Sequence, residues 1–172
     1  MTEQRPWVQR VFEFDFPVAR YRELIDRLES TPARLEDLTS ALPIRALVTK
    51  HEGAWSIQEN LGHLLDLESL FLGRLDNYAA GDKELRPADM TNRATEAAGH
   101  NDREIHELLA EFAEQRGKLV KRLKNLSTDA FSRSAYHRRL DVQMRLVDML
   151  HFQAEHDDHH IRTITRLRQT LP

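Results

Sequence analysis

Apolar side chains recur every three to four positions along most of this chain, and this spacing constrains the fold more than any other feature. A period near 3.6 puts those side chains on one face of an α-helix, whereas a half-buried strand alternates with period two. Only six glycines and six prolines interrupt the 172 residues, so few positions break a helix. We therefore predict an all-α fold whose helices pack as an antiparallel four-helix bundle.

The first third of the chain carries two helix start signals. A first helix is predicted over residues 17–30, opened by a proline. Thr31 and Pro32 then form a second start signal, with threonine as N-cap and proline at the first helical position. This second helix should end at Pro43, and residues 44–55 are predicted to be a connection.

Three longer helices follow. The segment Ser56–Glu59 has the form of a capping box and should begin a central helix, whose wide apolar stripe indicates contacts with several neighbours. Further long helices are predicted over about 101–125 and 146–167. The polar segments 83–95 and 127–141 connect them, and the length of the first of these loops is typical of a functional one.

The charge balance disfavours nucleic acids and membranes as partners. The chain has 25 Lys and Arg against 28 Asp and Glu, a formal net charge of −3, so it lacks the positive field that a phosphate backbone or an acidic membrane surface attracts. No window approaches the roughly 18 apolar residues of a membrane span, and the first ten residues lack the apolar stretch of a signal peptide. We expect a cytoplasmic protein. One basic group, which we interpret as a solvated loop rather than a phosphate site, comprises Arg133, His137, Arg138, Arg139 and Arg145.

Histidine is the residue on which any metal chemistry of this chain must rest. The sequence has no Cys, which excludes disulfides, a Cys nucleophile and thiolate metal sites, but it has nine His, four of them within residues 151–160. His156 and His160 are spaced i, i+4, so on a helix their imidazoles lie on one face, close enough to share an ion. That face is also the apolar, inward one. A pair of buried histidines without metal is the alternative reading.

A third ligand should come from a facing helix, and His63 is the candidate because it lies beside the apolar stripe of the central helix. Taken alone, His63 is better explained as a core histidine hydrogen-bonded to a backbone group or a carboxylate. His151 and His159 fall about 100° from the inward row and look like surface residues or supports for a ligand. The other histidines, in connections or on polar flanks, are left without a role: His51, His100, His106 and His137.

Several charged residues near these histidines are candidates for supporting roles. Acids beside the ligands can orient imidazole N–H groups, although solvated acids on a polar face are the plainer interpretation; they are Asp66, Glu155, Asp157 and Asp158. Ordinary solvation is the favoured interpretation for three further residues, which would contact an acidic thiol cofactor if they lie near the mouth of the site: Arg74, Tyr78 and Arg145.

Two segments of the chain resemble the signature segments of the DinB/YfiT-like superfamily. They are Trp55–Asp66, which reads WSIQENLGHLLD, and His156–Ile164, which reads HDDHHIRTI. The resemblance extends over most of the chain and implies a single helical-bundle domain over residues 1–172, with its core at about 31–168. It also implies a divalent metal held by His63, His156 and His160. Thr163 departs from the family pattern, which often has Gln there.

The resemblance further implies a homodimer, a metal that is Zn or Ni, with Fe or Mn as alternatives, and a small-molecule substrate. Relatives include S-transferases that use low-molecular-weight thiols. Three neutral imidazoles leave the metal's charge uncompensated, which lowers the pKa of a bound water or thiol. We therefore expect a metal-dependent thiol S-transferase. The alternatives are a metal-dependent hydrolase and a non-catalytic helical protein that acts in a stress response or by interaction.

Overall fold

The structure, a computed structural model, describes residues 6–51 and 53–170. These residues are mostly helical, as predicted, and include one two-stranded hairpin. The helices are α1 (Tyr21–Thr39), α2 (Ile44–Val48), α3 (Ile57–Ala80), α4 (Arg93–Ala97), α5 (Ile105–Lys124) and α6 (Leu146–Gln169), and the strands are β1 (Ser134–His137) and β2 (Val142–Arg145). Short 3₁₀ turns lie at Trp7–Gln9, Val18–Arg20, His100–Asp102 and Thr128–Ser132.

The four long helices α1, α3, α5 and α6 make up the body of the protein. Helix α1 packs against α5 and α6, and α3 packs against the same two helices, so each long helix has two long neighbours. This is the packing of a four-helix bundle; the antiparallel order of the helices stays a prediction. None of the described helices combines the length and the apolar character needed to cross a membrane.

A layer of buried polar side chains crosses the middle of the bundle and separates two apolar clusters. It takes one residue from each long helix, Thr31, Glu68, Arg116 and Asp157, each 1 % exposed. Arg116 donates hydrogen bonds to Glu68 Oε1 at 2.7 Å and to Asp157 Oδ2 at 2.6 Å. Burial alone would lower the pKa of Arg116, but Asp157 and Glu68 raise it. This polar layer ties α3 and α6 together through α5.

The predicted break between residues 30 and 31 is wrong, because α1 runs through Pro32 without interruption. A proline inside a helix leaves the carbonyl four residues earlier without its N–H partner. Here that carbonyl belongs to Leu28, and it accepts a hydrogen bond of 3.0 Å from Arg116 Nη1. Thr31 does not act as an N-cap; its hydroxyl donates to Asp157 Oδ2 at 2.8 Å. Tertiary contacts therefore replace what the proline removes.

The connections contain more structure than predicted. Residues 44–55 include the short helix α2, and residues 127–141 include β1 and the turn of the hairpin, so the all-α prediction fails at this point. Strand β1 pairs antiparallel with β2, from Ser134 opposite Arg145 to His137 opposite Val142. The predicted loop 83–95 starts along this hairpin, where Leu85 N donates to Tyr136 O at 2.9 Å.

Candidate metal centre

Helices α3 and α6 bring three histidines together in the half of the bundle where α3 begins and α6 ends. Helix α3 begins at the predicted capping box, in which Ser56 accepts from the Glu59 amide and Glu59 accepts from the Ser56 amide. Two turns later α3 presents His63, and α6 presents His156 and His160. All three are about 5–6 % exposed. One ligand atom from each lies within 4.8 Å of the others, and we call these three residues the histidine cluster.

The Nε2 atoms of His156 and His160 face each other at 3.2 Å. Two imidazole nitrogens that each bind a tetrahedral zinc ion at about 2.0–2.1 Å lie about 3.3 Å apart, so this spacing fits a shared ion. The ring of His63 lies 5.3 Å from that of His156 and 4.9 Å from that of His160, measured between centroids. The three rings thus surround one point between α3 and α6.

Hydrogen bonds at Nδ1 hold two of these rings. Thr95 donates its hydroxyl proton to Asp66 Oδ2 at 2.7 Å, so its oxygen accepts from Nδ1–H of His63 at 3.0 Å. Asn60 donates through Nδ2 to the Ser56 carbonyl, so its Oδ1 accepts from Nδ1–H of His160 at 2.8 Å. A hydrogen bond at Nδ1 sets the tautomer that leaves Nε2 as a lone-pair donor for a metal.

The protonation states also suit metal binding. Burial lowers the pKa of His63 to about 4. Burial, together with the neighbouring imidazoles, lowers the pKa of His156 and of His160 well below the ordinary value. All three rings are therefore neutral at pH 7. Neutral imidazole is the form that binds Zn²⁺, Ni²⁺ and similar divalent ions, so the donor set fits such an ion. Its assignment as a metal site stays a prediction.

The family model of the DinB superfamily matches residues 27–164. The chain belongs to the DinB superfamily. Its structure is similar to that of YfiT from Bacillus subtilis, which is described as a probable metal-dependent hydrolase with an unusual four-helix bundle topology. The TM-score is 0.81 at 23 % sequence identity, and the match covers 93 % of this chain and 92 % of YfiT. The search of curated proteins finds no significant match.

Of the acids considered as supports in this DinB protein, Asp66 is linked to a candidate metal ligand. It accepts a hydrogen bond from Thr95, which in turn accepts one from His63. Asp66 also accepts a hydrogen bond of 2.9 Å from His100 Nε2. Burial alone would raise the pKa of Asp66, but the hydrogen bonds from His100 and Thr95 lower it. The other three acids do not orient a ligand, because their carboxylates pair with arginines; they are Glu155, Asp157 and Asp158.

His100 is a site residue that sequence reasoning missed. It was assigned to a connection, yet it is buried, and its ring lies directly over Gly62, the residue before His63. A Cβ atom at position 62 would overlap with this ring. The available signal was the glycine in the middle of an apolar helix, which indicates a close approach by another group. Thr95, which contacts His63, had no comparable signal.

The remaining histidines separate into interior and outer positions. His151 and His159, predicted to be on the surface or to support a ligand, are half-buried, and the His159 ring packs on Trp7 and on His160. His137 is buried in the hairpin. The other two, His51 and His106, are partly and fully exposed, and neither belongs to the histidine cluster.

Two of the cavities among the described residues are lined by both His63 and His156, and Trp7 contributes to each of them. One has a volume of about 250 Å³ and reaches Arg74 and residues of the hairpin; we call it the arginine-side cavity. The other has a volume of about 470 Å³ and reaches Trp55; we call it the tryptophan-side cavity. Trp7 packs edge-on against His156 with ring centroids 4.8 Å apart. The N-terminal segment therefore forms part of both walls.

Of the three residues considered as contacts at the mouth of the site, one lines either of these two cavities. Arg74 is 3 % exposed and lines the arginine-side cavity. Tyr78 is buried, donates to the Met144 carbonyl at 2.9 Å, and lines neither cavity. Arg145 bonds Asp148 at the start of α6 and donates to the carbonyls of the N-terminal segment. Ordinary solvation describes neither Arg74 nor Tyr78.

Proposed function

We propose that this protein is a metal-dependent enzyme whose divalent ion, Zn or Ni with Fe or Mn as alternatives, is held by His63, His156 and His160. The observation that carries the proposal is the convergence of three buried, neutral imidazoles within 4.8 Å. A metal bound there would supply positive charge that lowers the pKa of a coordinated water or thiol. Three protein ligands leave a coordination position open, which is typical of a catalytic rather than a structural site.

The chain's own residues would orient the ligands and shield the site. Thr95 and Asn60 keep protons on the Nδ1 atoms of His63 and His160. Such support from neighbouring hydrogen bonds is worth roughly 10–100-fold in metal affinity. Trp7 and Phe152, whose rings lie 5.0 Å apart, cover one side of the site with apolar surface. Apolar cover limits water access and strengthens electrostatic interactions with the ion.

For the reaction, we propose transfer of a low-molecular-weight thiol to an electrophilic small molecule. The adjoining cavities, which share Trp7, His63 and His156, support this choice, because together they leave room beside the cluster for the two organic molecules that a transferase must hold. The chain has no Cys, so the sulfur would enter with the thiol substrate. A homodimer, a cytoplasmic location, a single domain and an antiparallel helix order complete the proposal.

Hydrolysis is the second candidate, and the description of YfiT as a probable metal-dependent hydrolase favours it. The two reactions differ in their need for a thiol. Purified protein would be incubated with halogenated electrophiles, with and without a panel of thiols, and with esters and amides. A transferase forms a thioether, detected by mass spectrometry, only when the thiol is present. Ester or amide cleavage without thiol would identify the hydrolase.

The metal itself is tested by elemental analysis of full-length protein without a His tag. We expect about one divalent ion per chain, loss of it in His160→Ala, and retention in His159→Ala. His159 is the matched control because it lies beside His160 on α6 and outside the histidine cluster. Fewer than about 0.1 ion per chain, with stability unchanged by chelator, would favour the non-catalytic alternative and overturn the proposal.

A further inference from the structure

The arginine-side cavity contains guanidinium groups that no carboxylate neutralises. Arg139 is half-buried and forms no hydrogen bond or ion pair with any residue that the structure describes; its one contact of note is the face of Phe152, 5.4 Å from the ring centroid. Arg74 is buried and donates through Nε to the Arg86 carbonyl at 3.1 Å, but its Nη atoms have no partner among the described residues. Arg86, a third cation of this lining, donates to Asn77 Oδ1 and pairs with no described carboxylate, so Arg74 and Arg139 are the two that lack a side-chain hydrogen-bond partner among the described residues.

His137 adds a buried donor to the same wall. It is 3 % exposed, and its Nδ1 accepts a hydrogen bond of 3.3 Å from the Leu140 amide, so the proton of the neutral ring is on Nε2. That buried Nε2–H has no partner in the described part of the chain. Burial, with Arg74 and Arg139 close by, lowers the pKa of His137 to about 4. A buried donor without an acceptor is costly, which indicates that something else supplies the acceptor.

The acidic residues around the cavity do not supply the missing acceptor. Asp89 is the one carboxylate among the described lining residues, and its oxygens accept from the Thr91 amide and hydroxyl and from the Arg93 amide within its own turn. Arg138, the remaining cation on the hairpin turn, already pairs with Glu84 at 2.6 Å. The acceptor-free part of the cavity is therefore the part formed by Arg74, His137 and Arg139.

Apolar side chains form much of the remaining wall, among them Leu67, Leu70, Phe71 and Phe152. We propose that one substrate carries an anionic head group, a carboxylate or a phosphate, which binds Arg74, His137 and Arg139 while its apolar part extends toward the histidine cluster. This inference rests on the proposed function, because the substrate would react at that cluster. The volume of about 250 Å³ suits an acid with one ring or a short chain.

Isothermal titration calorimetry of the full-length protein tests the proposal with phenyl phosphate, phenylacetate and the neutral phenylacetamide. We expect at least one of the two anions to bind about ten-fold or more tightly than the amide, since charged hydrogen bonds in a desolvated pocket discriminate strongly. The better anion identifies the head group. Arg139→Gln and His137→Gln should each weaken its binding, Arg139→Gln by about ten-fold or more. Arg133→Gln is the matched control: the same charge change on an exposed residue outside the cavity.

A further variant separates this inference from the metal proposal. His160 does not line the arginine-side cavity, so His160→Ala should lose the metal but keep the affinity for the anion. Loss of anion binding in His160→Ala, with the fold intact by circular dichroism, would mean that the anion binds the metal instead. Equal affinity for the amide and both anions, or equal weakening in Arg139→Gln and Arg133→Gln, would overturn the inference and leave the metal proposal standing.

Discussion

Replacement of Arg116 by Met tests the polar layer, because its guanidinium pairs with both buried carboxylates and donates to the carbonyl that the proline inside α1 leaves without a partner. The variant leaves Glu68 and Asp157 buried without a cation. Removing one partner of a buried ion pair costs about 3–5 kcal/mol. It also orphans the Leu28 carbonyl, which costs about 1–3 kcal/mol more. The sum approaches the roughly 5–15 kcal/mol that stabilise a whole domain. We therefore expect the urea concentration at the unfolding midpoint to fall close to zero.

The proline provides a second test, directed at the contact between Arg116 and the Leu28 carbonyl. In Pro32→Ala the new amide of residue 32 can donate to the Leu28 carbonyl. This change should therefore help Arg116→Met more than it helps the wild type, by about 1 kcal/mol or more in a double-mutant cycle of urea unfolding. If the two backgrounds respond equally, Arg116 does not compensate for the proline, and our account of α1 is wrong.

Two further variants separate the cost of unpaired buried charge in Arg116→Met from the cost of lost side-chain packing. Combining Arg116→Met with Glu68→Gln and Asp157→Asn removes the unpaired charges and should recover much of the lost stability. Arg122→Met is the matched control on the same helix: its partner, Asp76, is exposed, so the loss should stay below about 1 kcal/mol. A loss in Arg122→Met as large as that in Arg116→Met would point to side-chain packing on α5 rather than to buried charge.

Three other predictions concern the glycines of α3 and α5, the hydrogen bond from His63 to Thr95, and the protonation of His137. Gly62→Ala should destabilise the fold, because the new methyl overlaps with a buried ring, whereas Gly117→Ala, with open space at its Cβ, should stabilise it by about 0.5–1 kcal/mol; thermal melts compare the two. Thr95→Val should weaken metal affinity about 10–100-fold in a competition assay with a chelator, and no change would remove its orienting role. The pKa of His137 is about 4 when folded and about 6.5 when unfolded, so the unfolded chain binds the extra proton between these pH values. The neutral His137 side chain therefore contributes its full stabilisation above pH 6.5 and loses it as the pH falls toward 4. His137→Gln should reduce the slope of unfolding free energy against pH in this range by up to about 1.4 kcal/mol per pH unit. An unchanged slope would contradict a lowered pKa for His137.

Much of the site's geometry was predictable from local rules. The spacing of His156 and His160 and their place on the inward row of α6 depend only on helical repeat, and the start of α3 depends on a capping box within four residues. His63 followed from its position beside an apolar stripe, and the structure brings it to the pair. Short-range patterns suffice here because helix geometry fixes which side chains share a face.

The supporting contacts were not predictable in this way. Thr95 and His100 belong to short elements with no periodicity, and their roles depend on how α4 and the 3₁₀ turn at 100–102 pack against α3. The uncompensated charge of Arg139 became visible only when the structure showed that no described carboxylate lies near it. In the sequence it was one basic residue among several in a presumed solvated loop.

The proline in α1 shows where the sequence stopped determining the structure. From sequence, Pro32 after Thr31 had the pattern of a helix start, since a proline at the first helical position loses no hydrogen bond. The tertiary structure decided otherwise, because Arg116, 88 residues from Leu28, supplies the carbonyl with a donor. Helical periodicity and the facing histidines were properties of the sequence itself. Which buried polar groups find partners was decided only by tertiary packing, because those partners come from distant segments whose approach no local pattern encodes.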